Sequence, residues 1–260
     1  MRHDVFQPET SSAKISIVLV RTSHPGNIGA AARAMLTMGL TRLRLVAPER
    51  FPHADASAMA AGADAVLEQA RTFETLEDAV ADCRWVMGCT ARRRSVVMDE
   101  FDPSAAAVRL WDATASGPVA LVFGCERTGL TNEELQHCHA AVHIPSVADF
   151  SSLNLAAAVQ VLAWELRREA LVRAERPDPG AVVPHDEPAA TAAQMEGLFG
   201  HLAQLLDDIE FHKGRAPERV MRRLRQLLLR AQPDQREVRV LRGIFADAQR
   251  MAWLARGGDK

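Results

Sequence analysis

The 260-residue chain has few cysteines, very few lysines and no long apolar run, and each shortage removes a class of protein. Its four cysteines, Cys83, Cys89, Cys125 and Cys138, form no C-x-x-C pair and no disulfide-framework spacing. Structural zinc and a stapled secreted fold are therefore not expected, and a reducing, cytoplasmic setting is. Ile15 to Val20 is closed by Arg21, far short of the ~20 apolar residues that span a bilayer, so no membrane partner is predicted. The opening MRHDVFQPETSSAK has no apolar signal core, and export is not expected.

The nucleotide-binding glycine signatures are incomplete as well. Gly26-x-x-Gly29 is not the G-x-G-x-x-G of a dinucleotide turn. Gly124 to Gly129 has the glycine spacing of a P-loop but lacks the lysine that follows, which argues against triphosphate hydrolysis. No group of Asp, Glu or His stands near Glu126 to complete a metal shell, and no metal is predicted.

What is present is ordinary for a globular protein: 48% hydrophobic and 25% charged residues, enough for a full core. The net charge of −2 hides a segregation. Residues 213–260 hold 13 basic and 5 acidic side chains, whereas residues 1–212 hold 18 basic and 28 acidic. Lys14, Lys213 and Lys260 are the only lysines, so the basic tail is an arginine tail. Guanidinium forks match phosphate oxygens two at a time, and a polyanion partner follows.

In order, Ile15 to Val20 reads as a strand buried on both faces, as in a parallel sheet. The turn Thr22 to Gly29 leads into a helix starting near Ile28 and capped near Gly39, with Asn27 still in the loop and Arg33 reaching back toward it. Leu43 to Val46 makes the next strand, giving a β-α-β unit. Thr75 to Asp82 is a helix with Leu76, Ala79 and Val80 inward, and Trp85 to Cys89 is a strand. That strand runs into Arg92, Arg93 and Arg94, a ready phosphate contact. Asp102 caps a helix through Trp111 with Pro103 at its first position. Val119 to Phe123 is a further buried strand, and Thr131 to Glu134 is a capping box.

Ala141 to Glu165 joins strand, loop and buried helix. Pro145 stops the strand, and Ser151 and Ser152 are placed to cap the helix that follows. In that helix Leu155, Val159, Leu162 and Leu166 share one stripe, while Ala156, Ala157 and Ala158 leave room for a close neighbour. Loops after the carboxyl ends of strands are where α/β proteins bind ligands.

Three clusters thus follow three strands: N-x-G-x-x-x-R as Asn27, Gly29 and Arg33; F-G-x-E-x-x-G-L as Phe123, Gly124, Glu126, Gly129 and Leu130; and I-P followed by S-L-N as Ile144, Pro145, Ser152, Leu153 and Asn154. Together they resemble the three motifs of the SPOUT class of methyltransferases, and in particular its tRNA/rRNA ribose 2′-O-methyltransferases. The likeness covers nearly the whole chain and is closest to the branch acting on ribose 32 of the tRNA anticodon loop.

The resemblance implies an α/β fold with a parallel sheet, helices on both faces and a C-terminal deep trefoil knot, which pattern alone could not have revealed. It implies a homodimer with knot helices at the interface. It also implies S-adenosyl-L-methionine bound against backbone at Cys89, Thr90, Ala91, Gly124, Ile144, Ser151, Ser152 and Leu153. Cys89 departs from the Thr or Ser common in relatives, which matters little for a main-chain contact. Arg33 would organise the attacking 2′-oxygen, Asn27 hold ribose or phosphate, Ser152 touch substrate or cofactor, Asn154 set the loop, and Glu126 fix the first motif directly or through a dimer. His24 is a rival base, expected only to shape the turn. The alternatives are a methyltransferase acting on another tRNA position or on rRNA, and a non-catalytic RNA-binding knot protein.

The expected domains are residues 1–175, a proline-rich linker over 176–190, and a helical extension over 191–260. Three helices are predicted there, from about Thr191, Pro217 and Asp234. The second would bury Val220, Leu224, Leu227 and Leu228 and turn Arg219, Arg222, Arg223 and Arg230 outward to dock tRNA, Arg222 and Arg223 foremost.

Overall fold

A computed structural model describes residues 12–91, 98–147, 152–175, 187–211 and 216–256. Arg92, Arg93, Arg94 and Ser151 lie outside the described residues, as do residues 176–186 of the linker. The chain divides into two compact units, residues 1–180 and 181–260.

The first unit is a seven-stranded sheet in which every neighbouring pair runs parallel. Its strands are β1 (Ile15–Val20), β2 (Arg42–Val46), β3 (Arg71–Phe73), β4 (Trp85–Thr90), β5 (Asp99–Phe101), β6 (Val119–Phe123) and β7 (Ala140–His143), in the order β3-β2-β1-β6-β4-β7-β5. The strands β1 and β6 are buried along their whole length, because sequences such as ISIVLV leave no polar face for water. Beyond β1 the chain steps one way to β2 and later returns on the other side to β4 and β6. That reversal opens a crevice above the carboxyl ends of β1, β6, β4 and β7.

Helices cover both faces. On one side lie α1 (Pro25–Thr37), α2 (Ala54–Ala60), α3 (Asp64–Glu68), α5 (Pro103–Ala113) and α7 (Leu155–Glu175), packed on Ile17, Leu19, Met87, Leu121 and Phe123. On the other, α4 (Leu76–Val80) packs on β2, and α6 (Asn132–Leu135) lies over Gly88, where an added Cβ would meet Leu135 and Leu130 at 2.9 and 3.0 Å. The α1 and α2 backbones approach so closely that a Cβ on Gly29 would sit 2.0 Å from the Ala56 carbonyl oxygen. Only glycine fits at that crossing.

Two local expectations are corrected. Helix α1 begins at Pro25, three residues before Ile28, because a proline at the first position is already set in helical φ; Asn27 is therefore in its first turn and not in the loop. Helix α7 is capped by Asn154, not by a serine: Asn154 Oδ1 accepts from the backbone of Ala156 at 2.9 Å and Ala157 at 3.4 Å.

The second unit holds α8 (Ala192–Asp208), α9 (Pro217–Ala231) and α10 (Gln235–Ala255) around Leu198, Phe199, Leu202, Leu229 and Phe245. Residues 188–190 belong to it, since Ala190 N–H donates to the Pro233 carbonyl and Gln235 N–H to that of Pro188. Of the expected inner face of α9, Val220, Leu224 and Leu228 pack on this core and Leu227 does not. Leu227 is 51% exposed and Leu229 is the buried leucine. Arg225 also takes an inward position, its guanidinium 4.3 Å from the Phe199 ring centroid and paired with Glu196. Arg222 and Arg223 remain exposed. Among the described residues no helix is long and apolar enough to cross a membrane.

Candidate active site

Two loops meet above the carboxyl ends of β1 and β6, and one carboxylate joins them. Glu126, just beyond β6, receives four hydrogen bonds from the β1–α1 loop and the first turn of α1. Its Oε2 accepts from Ser23 N–H and Ser23 Oγ–H, both at 3.0 Å. Its Oε1 accepts from Asn27 Nδ2 at 2.8 Å and from His24 N–H at 3.2 Å. Helix N-terminal amides are unpaired by construction and favour an anion, so the placement is the expected one. Burial pushes the Glu126 carboxyl up, but the bonds from Asn27, Ser23 and His24 outweigh it and hold the group at about 2.

The third cluster joins through Asn154, whose Nδ2 donates to Asn27 Oδ1 at 3.0 Å. Because Asn154 Oδ1 is taken by the α7 amides, its amide can point only one way, and so can that of Asn27. Glu126, Asn27 and Asn154 therefore stand as one ordered chain drawn from all three motifs.

Beside this chain is a cavity of about 430 Å³. Its wall takes in Cys89, Thr90, Ala91, Gly124, Ile144, Ser152 and Leu153, together with Glu126. Arg127, Thr128, Leu155 and Ala158, none of them in the cofactor set that the resemblance implied, also line it. The apolar stripe and alanine run of α7 were the available signal for the last two. The 124–130 loop turns tightly enough that a Cβ on Gly124 would lie 2.1 Å from the Gly129 carbonyl carbon, and Cys125 bridges back to Gly129. Cys89 is held neutral, burial pushing its thiol up to about 12. Burial also pushes the Cys125 thiol up, but contacts from Thr128 and Arg127 and the nearby Arg21 charge bring it below the ordinary range.

Arg33 is not part of the cluster. It lies six residues after Asn27 on α1, about 9 Å further along the axis and turned by ~120°, and its side chain is exposed. Among the described residues its guanidinium has no hydrogen-bond or ion-pair partner, while its carbonyl accepts from Thr37 Oγ1 at 2.7 Å. His24 contributes backbone only: its N–H goes to Glu126 and its carbonyl accepts from Asn27 N–H at 2.9 Å. Ser23, absent from the sequence-based set, supplies two of the four bonds to Glu126.

The arrangement has relatives. Residues 14–164 match the SpoU rRNA Methylase family, and residues 193–257 match the tRNA methyltransferase TrmJ, C-terminal domain. The tRNA (cytidine/uridine/adenosine-2′-O-)-methyltransferase TrmJ of Pseudomonas aeruginosa is 46% identical over 244 residues, spanning 92% of this chain and 95% of its own. The tRNA (cytidine/uridine-2′-O-)-methyltransferase TrmJ of Escherichia coli K12 is 46% identical over 236 residues, 90% of this chain and 95% of its own. The crystal structure of TrmJ from Z. mobilis superposes with a TM-score of 0.76 at 38% identity, over 89% of this chain and 97% of that one. The SpoU methyltransferase AviRb of Streptomyces viridochromogenes, solved with AdoMet, superposes with a TM-score of 0.50 at 21% identity over 62% of each chain, a likeness of fold alone.

Proposed function

The chain belongs to the SpoU rRNA Methylase family and ends in a TrmJ-type C-terminal domain, and from that premise we propose that it methylates a ribose 2′-oxygen of tRNA. The observation that carries this reading is the Glu126–Asn27–Asn154 chain at the rim of a 430 Å³ cavity, supported by relatives that span 95% of their own length and act on tRNA 2′-oxygens.

The cofactor in this reading is S-adenosyl-L-methionine, which supplies a methyl group on a positively charged sulfur. The cavity suits it in size, within the ~300–1,000 Å³ of small-molecule sites. It suits it in charge, because Glu126 stays ionised on its wall and favours a cationic ligand. The residues that would hold it are Cys89, Thr90, Ala91, Gly124, Ile144, Ser152 and Leu153, whose backbone groups can read an adenine edge without a dedicated charge. Ser151 is part of the same proposal.

The protein's part is placement. Bringing the 2′-oxygen into line with the methyl group in a site that excludes water can lower a barrier by ~7 kcal/mol or more. Asn27 and Asn154 are fixed by Glu126 and α7 and present their edges to the ribose or its phosphate. Arg33, exposed on α1 outside this cluster, meets the substrate from the open side as a cation that steadies charge growing on the 2′-oxygen; a guanidinium is a hydrogen-bond donor and not a base. Arg222 and Arg223 on the open face of α9, and Arg92 to Arg94, bind the tRNA backbone. The trefoil knot, a homodimer built on the outer face of α7, where Trp164 is 51% exposed, and a cytoplasmic setting belong to the same reading.

The address we propose is ribose 32 in the anticodon loop. Transfer of labelled methyl from S-adenosyl-L-methionine to unmodified tRNA, followed by nuclease mapping, tests it. Label on ribose 32 is expected. Label at another ribose keeps the chemistry and discards the address, and no transfer to tRNA moves the substrate to rRNA.

A further inference from the structure

Arg21 directly follows β1 with a left-handed backbone, φ 50°, a conformation that costs any residue carrying a Cβ. Beyond that turn its guanidinium reaches the neighbouring loop and helix. It meets Glu134 on α6 as a fork: Nη1 faces Oε1, and Nη2 donates to Oε2 at 3.2 Å. Glu134 is also the third residue of the α6 capping box, its Oε2 accepting from Thr131 N–H at 2.7 Å while its own N–H donates to Thr131 Oγ1 at 3.1 Å. Helix α6 is thus capped without Arg21.

The two loops of the site are consequently tied at two points. Glu126, at the start of the β6–α6 connection, holds Ser23, His24 and Asn27. Arg21, two residues before Ser23, holds the far end of that same connection. Between the two ties lie Arg127 to Leu130, which wall the cavity. A single tie would leave the loops free to pivot about Glu126; a second fixes their separation. The Glu134 side chain is 12% exposed and that of Arg21 40%, so the pair is shielded on the carboxylate side and acts through geometry as well as charge.

We propose that Arg21 is a positioning residue for methyl transfer, its fork on Glu134 setting the gap across which Glu126 and Asn27 meet at the cavity rim. This rests on the functional reading above. Arg21 itself touches neither cofactor nor ribose. Its charge, after the contacts from Thr128 and Arg127, is also among the influences that lower the Cys125 thiol.

The test uses the full chain with Arg21→Met, Arg21→Lys and Glu134→Gln. The last keeps an acceptor for Thr131 N–H and removes the charge that Arg21 grips. For each, kcat, KM for tRNA, the Kd of S-adenosyl-L-methionine and the pH midpoint of Cys125 alkylation by iodoacetamide are measured, with Cys125→Ser identifying the signal. Arg21→Met and Glu134→Gln should lower kcat about ten-fold or more, the scale of a misplacement below 1 Å, while Kd changes by less than about two-fold. Arg21→Lys should recover part of the loss, and Arg21→Met should raise the Cys125 midpoint. An Arg21→Met protein with kcat within about two-fold of the parent overturns the inference, as does an equal fall in kcat and cofactor affinity, which would mean general loosening. A parent protein that methylates no RNA overturns the functional reading itself, a result distinct from active parent and unaffected variants.

Discussion

Replacing Glu126 by glutamine removes little volume and one charge, and its cost follows from four donors facing one side chain. A glutamine has one oxygen. If that oxygen faces Asn27 and His24, its NH2 faces the Ser23 N–H, which cannot turn away. If it faces Ser23, Asn27 must reverse its amide, and its NH2 then confronts that of Asn154. Reversing Asn154 in turn strips the acceptor from the first turn of α7. Every arrangement leaves at least one donor against a donor. A charge-assisted hydrogen bond contributes ~1.5–3 kcal/mol, and allowing for the partial exposure of Glu126 the loss is about 2 kcal/mol. For a unit of this size that is roughly 6 °C in Tm.

The pH dependence gives the stricter check. The folded carboxyl sits at about 2 against an ordinary 4.5, so the folded state binds fewer protons than the unfolded chain in that window. The extra stability of the parent is therefore complete above about 4.5 and lost as pH falls toward about 2. Urea unfolding of parent and Glu126→Gln across that range should show a gap that closes on acidification. A constant gap, or none at neutral pH, would refute the account of Glu126 as the ionised hub.

Other expectations can be checked alongside. Arg33→Ala, at an exposed position, should leave Tm within about 1 °C and cofactor binding intact while nearly abolishing transfer, whereas His24→Ala should keep most activity; the reverse pattern in the two rates would sink the assignment. Asn154→Ala loses the α7 cap and should cost ~1 kcal/mol of stability along with transfer, measurable by thermal unfolding beside the methyl assay. Gly124→Ala forces a Cβ to within 2.1 Å of the Gly129 backbone and should weaken cofactor binding by about ten-fold or more in equilibrium dialysis. Burial, with Arg109 second, pushes His139 down from 6.5 to about 4, so the unfolded chain takes up a proton first and stability should decline as pH falls through that window; His139→Gln should flatten the slope in urea titrations.

The sheet and the site were legible in the sequence to different degrees. The strands β1 and β6 coincide with their apolar runs, since a strand buried on both faces writes itself as uninterrupted β-branched and apolar residues. The short edge strands β3 and β5 went unread: RTF and DEF carry no periodicity and exist because β2 and β7 offer a free edge. The motif residues named the right loops, but their partners lie about a hundred positions apart, Asn27 to Glu126 and Asn27 to Asn154, and no local rule carries that distance. Arg21 gave no signal at all, because its backbone conformation and its reach to Glu134 are set by the meeting of two loops. In the second unit, amphipathicity predicted α9 and placed Val220, Leu224 and Leu228 on its inner face, but it did not reveal that Leu229 and Arg225 also turn inward, the stem and plane of Arg225 packing on Phe199.

The carboxylate that organises the site is also full. A carboxylate offers about four lone-pair positions, and Glu126 has four donors upon them. With its titration near 2 it is a weak base even before its occupancy is considered. The proton of an attacking hydroxyl therefore has no vacancy on Glu126, and neither asparagine amide can relay it. Within this cluster nothing stores a proton, so its departure runs outward, to a phosphate of the substrate or to solvent at the rim. The rate should then respond to the backbone chemistry of the RNA at that nucleotide, and a neutral linkage in place of the adjacent phosphate would slow the transfer without altering how the cofactor is held.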